Sequence, residues 1–314
     1  MYIRPYTPAD ASEWDQFVSN SRNATFILRR SFMDYHADRF QDASLMLYDD
    51  KNALLALLPA SMADGVVSSH AGLTYGGWIL GRTRPNVLQL LEAWGLMADY
   101  YRSLGCHTLL YKAIPHIYNK YPSEEDQYVL FRNNAVIESV LASSVIDLTS
   151  PIHFNKGSRR HVNKIEGKGY EVSMSDDLEA FWLILESRLS ERYGARPVHS
   201  LDEIRLLKGR FPENIVLWMI ADPAGRILGG TVLFVDSPVV KSQYIASTAA
   251  GREVNALDYL FSILIEKYSQ QRYRYFDLGP SCEDGGRILN EGLAIQKIGY
   301  GGRCIAYNTY RVKL

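Results

Sequence analysis

The run Ile215-Val-Leu-Trp-Met-Ile-Ala221, Asp222-Pro-Ala-Gly225, Arg226-Ile-Leu-Gly-Gly-Thr-Val-Leu-Phe-Val235 decides the fold. Two apolar stretches of strand length flank a turn rich in Pro and Gly, which predicts a β-hairpin. Val239-Val-Lys-Ser-Gln-Tyr-Ile-Ala-Ser247 reads as a third strand. A helix is expected over about residues 253–270, and a strand over 273–278. The order is therefore hairpin, strand, helix, strand.

Working outward, the same order recurs about 170 residues earlier, at low residue identity. Residues 43–48, the turn Asp49-Asp-Lys-Asn52 and residues 53–62 make a hairpin, and residues 66–70 make a strand. Val87, Leu90, Leu91, Trp94, Met97, Tyr101 and Leu104 then recur at helical spacing, Gly105 stops that helix, and Thr108 to Lys112 is a strand. Before the first hairpin lie a strand at 2–6, a helix with Thr7 as N-cap and Pro8 in its first turn, and a short helix near 31–39. Ser123-Glu-Glu-Asp126 starts a helix, and residues 135–148 form a strand leading out of the first half. The second half opens with helices at 154–168, 176–193 and 201–210. Ser200 and Glu203 stand at capping-box spacing before the last of these. The expected domains are residues 1–146 and 147–314. No Gly-, Ser- or Pro-rich linker separates them, so direct packing is expected.

Composition agrees with two globular domains. The chain has 314 residues, and about 150 per domain predicts two. Hydrophobic residues at 47% and charged residues at 22% exclude disorder as the main state. No apolar run is long enough for a membrane span. Thirty-four Lys and Arg against 35 Asp and Glu give a net charge of −1. That argues against a protein that coats DNA or RNA through bulk charge, although a local phosphate site stays open. Cys106, Cys282 and Cys304 are odd in number and far apart, so neither a disulfide framework nor a zinc ribbon is expected. The seven histidines show no metal-ligand spacing, and no metal is expected. Met1-Tyr-Ile-Arg-Pro-Tyr-Thr-Pro8 lacks a signal-peptide pattern, and a reducing cytoplasm is the expected location.

Familiar catalytic motifs are absent, including GxSxG, HExxH, the P-loop and GxGxxG. Three stretches carry charge or glycine in patterns that suit a ligand. Lys156-Gly-Ser-Arg-Arg160-His-Val-Asn-Lys164-Ile-Glu-Gly-Lys168 puts five cations against Glu166 on an expected helix. Arg160 and Lys164 share a face, which is either a phosphate patch or a solvated surface. Ser190-Glu-Arg192-Tyr-Gly-Ala-Arg196-Pro-Val-His199 delivers Arg192, Arg196 and His199 into a loop, for a ligand or for helix capping. Tyr275-Phe-Asp-Leu-Gly279 ends a buried strand in Asp277 and a glycine, and runs into Pro280-Ser-Cys-Glu283-Asp284-Gly-Gly-Arg287. With Lys297 on a short helix facing back, these residues suit a cleft; the alternative is local capping with Lys297 in solvent.

The tandem plan resembles the FemAB-related branch of the GNAT acyltransferases. So do Ser158-Arg-Arg-His-Val-Asn-Lys164 followed by Gly169-Tyr-Glu-Val172, Glu191-Arg-Tyr-Gly194, Phe276-Asp-Leu-Gly279 and Gly292-Leu-Ala-Ile-Gln-Lys297-Ile-Gly-Tyr-Gly-Gly302. The resemblance covers nearly the whole chain and is more specific in the second half. It implies a mixed α/β (α+β) chain of two tandem GNAT-like domains, each a mostly antiparallel central sheet flanked by helices. It also implies transfer of an acyl group to an amine, from acyl-CoA (acetyl-CoA) or from aminoacyl-tRNA. The acceptor would be a small molecule, a nucleotide-sugar or a cell-envelope precursor. Lys297 matches the lysine of the family's final Phe-Lys pair, with Gln296 standing in place of Phe. Arg192 matches an arginine that contacts acceptor phosphates. The phosphate loop (Q/R)xxGx(G/A) of ordinary GNAT enzymes corresponds to Arg252-Glu-Val-Asn255-Ala-Leu257, where Asn255 and Leu257 replace glycine and a small residue.

The expected chemistry is attack of an amine on a thioester or ester carbonyl. Lys297, Glu283 and Asp284 are the candidate catalytic residues, the two acids for the amine proton. Arg192, Arg196, His199, Gln243, Tyr244, Asp277, Tyr75 and His116 are candidate substrate contacts. Arg160, Lys164, Arg252 and Asn255 are candidates for the donor's phosphates. The rival expectation is a non-catalytic ligand-binding protein with a degenerate GNAT fold.

Overall fold

The computed structural model describes the backbone of residues 1–314 and every side chain except that of Tyr193. The chain divides into two compact units. Unit 1 is Met1–Leu141, Asp284–Ile288 and Ala306–Leu314; unit 2 is Ala142–Glu283 and Leu289–Ile305. Unit 1 therefore takes in two short segments from the C-terminal part of the chain.

The first stretch of chain forms β1 (Tyr2–Pro5), α1 (Ala11–Asn20), α2 (Arg30–Met33), β2 (Gln41–Asp42), β3 (Leu45–Tyr48), β4 (Leu54–Leu58), β5 (Ser61–Ala63) and β6 (Val66–Ser68). Next come β7 (Ile79–Leu80), α3 (Val87–Ser103), β8 (Thr108–Lys112), α4 (Glu125–Arg132) and β9 (Val136–Asp147). The second stretch forms α5 (Lys156–Ile165), β10 (Glu171–Ser175), α6 (Leu178–Tyr193), α7 (Leu201–Arg210), β11 (Ile215–Ala221), β12 (Ile227–Asp236) and β13 (Val239–Ser247). It closes with α8 (Ala249–Glu253), α9 (Ala256–Gln270), β14 (Tyr275–Pro280), β15 (Cys282–Glu283), β16 (Ile288–Leu289), α10 (Glu291–Gly299) and β17 (Arg303–Lys313).

Unit 1 holds the antiparallel order β1-β3-β4-β7 and the order β17-β8-β6-β5-β2, in which only β6 and β8 run parallel. Helix α3 precedes β8 because its apolar residues fall on one face: Leu90, Trp94, Met97 and Tyr101 join Leu45, Leu47, Ala56 and Trp78 in one core. Asn86 and Gln89 start it with a reciprocal cap.

Unit 2 holds the order β10-β11-β12-β13-β14-β9, and again one pair alone, β13 with β14, is parallel. Between those strands in the chain lie α8 and the longer α9. Its Leu257, Leu260, Phe261, Leu264 and Tyr268 pack on Trp218, Leu233, Val240 and Phe276. Each fully buried side chain of this size contributes about 1.5–3 kcal/mol.

Three expectations change here. The helix expected over 253–270 breaks in two at Asn255, which takes a left-handed backbone (φ 55°, ψ 44°); Asn tolerates that conformation because its short polar chain bonds locally. Helix α5 begins later than residue 154 because Asn155 caps it, accepting from the Ser158 N–H. Strands β10 and β17 were not anticipated. β10 is mostly exposed, and β17 buries only Tyr307 and Val312, five residues apart, so neither shows a clean apolar alternation.

Helix α8 lies close on β12. A Cβ on Gly251 would stand 2.1 Å from the Leu228 carbonyl oxygen, backbone against backbone. Gly251→Ala is therefore expected to cost about 1–3 kcal/mol, measured by urea unfolding. Gly95→Ala, where nothing lies within 4 Å, should cost nothing comparable.

Candidate active site

The site starts from a divergence of two strands. Val239, Val240 and Lys241 pair in parallel with Tyr275, Phe276 and Asp277, and the pairing stops there. Strand β13 runs on to Ser247, held by β12 alone. A bulge lies at Gln243, between the pairs Val232–Tyr244 and Leu233–Ser242, and a bulge bends the strand that carries it. Gly279, at φ 80°, turns β14. Backbone groups of residues 242–247 on the β14 side thus have no strand partner among the described residues.

Val240 and Phe276 face the α9 core, so alternation puts Lys241 and Asp277 on the opposite face. Asp277 is fully buried. One of its oxygens, Oδ1, accepts from the Ser143 hydroxyl at 2.6 Å and from the Gly279 N–H at 2.9 Å. Lys241 is also buried, and burial holds its ammonium below the usual lysine range while the Asp277 charge opposes that shift. Lys297 enters from α10, a helix capped by Asn290. It is 3% exposed. Its Nζ donates to the carbonyls of Gly279 and Pro280, both at 2.8 Å. Burial lowers its pKa to about 8; Asp277 and Cys282 act to raise it, and Lys241 adds to the lowering. Two buried ammonium groups thus share the field of one buried carboxylate. Perturbed groups of this kind cluster at functional sites.

A cavity of about 310 Å³ adjoins the far end of β13, lined by α6 residues that include Ser187, Arg188 and Glu191, and by Ser247, Thr248 and Arg252. Arg252 Nη1 donates to the Ser247 carbonyl at 2.9 Å, which fixes that guanidinium at the strand end. Glu191 accepts from the Ser187 hydroxyl at 2.9 Å. Leu257, which replaces a small residue of the phosphate loop, joins the α9 core and does not line the cavity.

No protein-family model matches the chain, and no curated protein sequence does. Solved structures do. The crystal structure of FemX aligns over 100% of this chain and 98% of its own, with 11% identity and a TM-score of 0.71. L-PGS from Bacillus licheniformis aligns over 98% and 91%, with 11% identity and a TM-score of 0.61. A tandem GNAT protein from the clavulanic acid biosynthesis pathway aligns over 99% and 98%, with 11% identity and a TM-score of 0.55. The chain has the tandem GNAT-like fold of FemX. Within this FemX-like fold, the repeated order of hairpin, strand, helix and strand supplies the parallel pair of each unit.

The FemX-like fold brings some of the candidate residues together and leaves others apart. Lys297 lies within the field of Asp277, and Arg252 shares its cavity with Arg188. His199 and Tyr244 are buried against each other: the Tyr244 oxygen bonds His199 Nδ1 and accepts the His199 backbone N–H. Gln243 is half-buried at the bulge. Arg192 and Arg196 are exposed, and the Arg192 guanidinium lies 3.7 Å from where a Cβ on Gly292 of α10 would stand. Exposed Glu283 accepts from the Asn290 side chain at 3.0 Å. Asp284 is exposed with φ 46° and belongs to unit 1. Tyr75 and His116 are also unit 1 residues: Tyr75 is buried with its hydroxyl on Thr25 at 2.9 Å, and His116 is exposed. Arg160 and Lys164 are exposed on α5, and neither lines the Arg252 cavity. Asn255 sits at the start of α9 in the left-handed backbone a glycine would take.

Lys241 and Arg188 were not anticipated. A lysine in a strand reads as solvent-facing, and only the register with Asp277 buries it. Arg188 stands four residues before Arg192 on α6, a helical spacing that could have flagged it. Among the described residues, no group of three or more metal-ligating side chains is present, and no helix is long and apolar enough to cross a membrane.

Proposed function

We propose that this chain is an N-acyltransferase that moves an acyl group from a coenzyme A thioester to an amino group, with aminoacyl-tRNA as the alternative donor. The acceptor class is a small-molecule amine, a nucleotide-sugar or a cell-envelope precursor. The observation that carries this reading is the opening between β13 and β14 with a two-arginine cavity at its end. An extended donor arm bearing amides can pair with an open strand edge as an added strand does. Its phosphates would then meet Arg188 and Arg252, whose planar guanidinium groups suit phosphate oxygens. Asn255 offers the turn before α9.

In the reaction, the amine lone pair attacks the thioester carbonyl, a C–N bond forms and the C–S bond breaks. The nitrogen loses a proton and the sulfur leaves as thiolate or thiol. In this reading Lys297 stabilises the oxyanion: two of its N–H groups hold Gly279 and Pro280, and the third has no acceptor among the described residues. Glu283 is the candidate for the amine proton, with Asp284 as the second. Arg192, Arg196 and Gln243 are candidate acceptor contacts, while His199 and Tyr244 shape the wall beside them. Aligning two substrates is worth roughly 7–11 kcal/mol in favourable cases, so a strong base is not required.

The test is a panel of acyl-CoA compounds and amines assayed for transfer, with Arg188→Ala and Arg252→Ala alongside. A charged hydrogen bond is worth about 1.5–3 kcal/mol, so each variant should raise the KM for acyl-CoA by about 10- to 100-fold and change kcat little. Unchanged acyl-CoA affinity in both variants, or ligand binding without turnover on any amine, would overturn the reading.

A further inference from the structure

The cations of α5 are not absorbed by the acyl-transfer site. Lys156, Arg159, Arg160 and Lys164 are all exposed, and no side-chain hydrogen bond or ion pair joins them to another described residue. Some other cations of unit 2 behave differently: Arg205 pairs with Glu179, Lys208 with Asp176 and Arg226 with Asp222. A chain with a net charge of −1 thus keeps one helix strongly and openly positive.

Between this helix and α9 lies a cavity of about 410 Å³. Its floor and walls are Leu148, Ile152, Phe154, Val162, Ile265 and Tyr300. His153 and Arg159 also line it, with Glu266 as the one acid. The walls are locked. Phe154 stacks on Tyr300 and Tyr300 on Phe261, each pair with ring centres 5.3 Å apart. The Tyr300 hydroxyl donates to Asp258 at 2.9 Å, and His161 of α5 bonds the other oxygen of that carboxylate at 2.8 Å. The slot is therefore built before any ligand arrives. Tyr300 is sandwiched between two rings, so the slot offers its apolar lining mainly through Leu148, Ile152, Val162, Ile265 and the Phe154 ring.

Exposed isoleucines stand beside it. Ile152 is 46% and Ile298 51% exposed. The Gly299 carbonyl accepts from the N–H of Asn155, the cap of α5, which puts Ile298 at the start of the basic helix. An apolar slot with a cationic border and flanking isoleucines is complementary to an anionic amphiphile: phosphate against Arg159 and its neighbours, hydrocarbon against the slot.

We infer that the α5–α9 face of unit 2 docks on an anionic lipid bilayer, with a lipid phosphate on the α5 cations and acyl-chain carbon in the slot. This does not rest on the acyl-transfer reading. The experiment is co-sedimentation of the full chain with vesicles of phosphatidylcholine, alone or mixed with phosphatidylglycerol. Binding is expected only with phosphatidylglycerol, and should weaken as salt rises. Arg159→Gln, Arg160→Gln and Lys164→Gln should each cost about fivefold, from roughly 1 kcal/mol per cation near such a surface. Ile152→Ser with Ile298→Ser should weaken binding at high salt as well. All five side chains lie at the surface, so melting temperatures should stay within a few degrees; Lys156→Gln with Lys168→Gln is the second cation variant. Equal binding to neutral vesicles, retained binding in all of the cation variants, or binding of RNA in place of vesicles would each overturn the inference.

Discussion

Lys297→Met is expected to lower acyl transfer by about 10²–10³-fold, the usual loss when one donor to a developing oxyanion is removed. The side chain is nearly as long, so the loss reports the ammonium and not the packing. Two carbonyls, of Gly279 and Pro280, anchor that ammonium in place, which makes it a rigid donor. Burial sets its pKa at about 8. Activity that needs the ammonium should therefore fall as pH rises through about 8, and the fall should be absent from the residual activity of Lys297→Met. Stability runs the other way. An unfolded lysine keeps its proton to about 10.5, so between about 8 and 10.5 the unfolded chain binds more protons and stability rises with pH. Below about 8 the burial cost is fully present, on the order of 3 kcal/mol. Unfolding measured across that window should show a smaller rise in the variant than in the parent, since buried Lys241 still contributes. Near-parent turnover in Lys297→Met, with a competent substrate pair, would contradict the assignment.

Asp277→Ala is expected to cost about 3–5 kcal/mol of stability, because removing one partner leaves buried charge without compensation. Asp277 has no exposed surface and sits in register with buried Lys241. The substitution also orphans the Ser143 hydroxyl and the Gly279 N–H that now share its Oδ1. Adding Lys241→Met should recover part of the loss, since the double variant no longer buries an ammonium deprived of the Asp277 charge. Urea unfolding of the two single variants and the double one closes the cycle. Strict additivity would mean that Lys241 and Asp277 do not interact.

Much of the fold was legible because its elements carry strong local signals. Strand β11, strand β13 and helix α7 fall where apolar runs and the Ser200–Glu203 box put them, residue for residue. Strands β10 and β17 were not legible, since few of their residues are fully buried and they gain order from pairing with distant chain. The same reason hid half of the candidate site. Asp277 and Lys297 stood out in a glycine-rich stretch, but the burial of Lys241 depends on its register with β14. The alternative for Lys297, a solvent-exposed side chain, fails on its 3% exposure. Loop residues such as Arg196 remained ambiguous because nothing local fixes their partners.

The central claim is that the open edge of β13 receives the donor. Hydrogen–deuterium exchange of the full chain, with and without acyl-CoA, reads this edge directly. The account predicts slowed exchange in residues 242–247 and at the start of α9. Protection confined to other segments, or an exchange pattern that acyl-CoA leaves unaltered at saturating concentration, would contradict it.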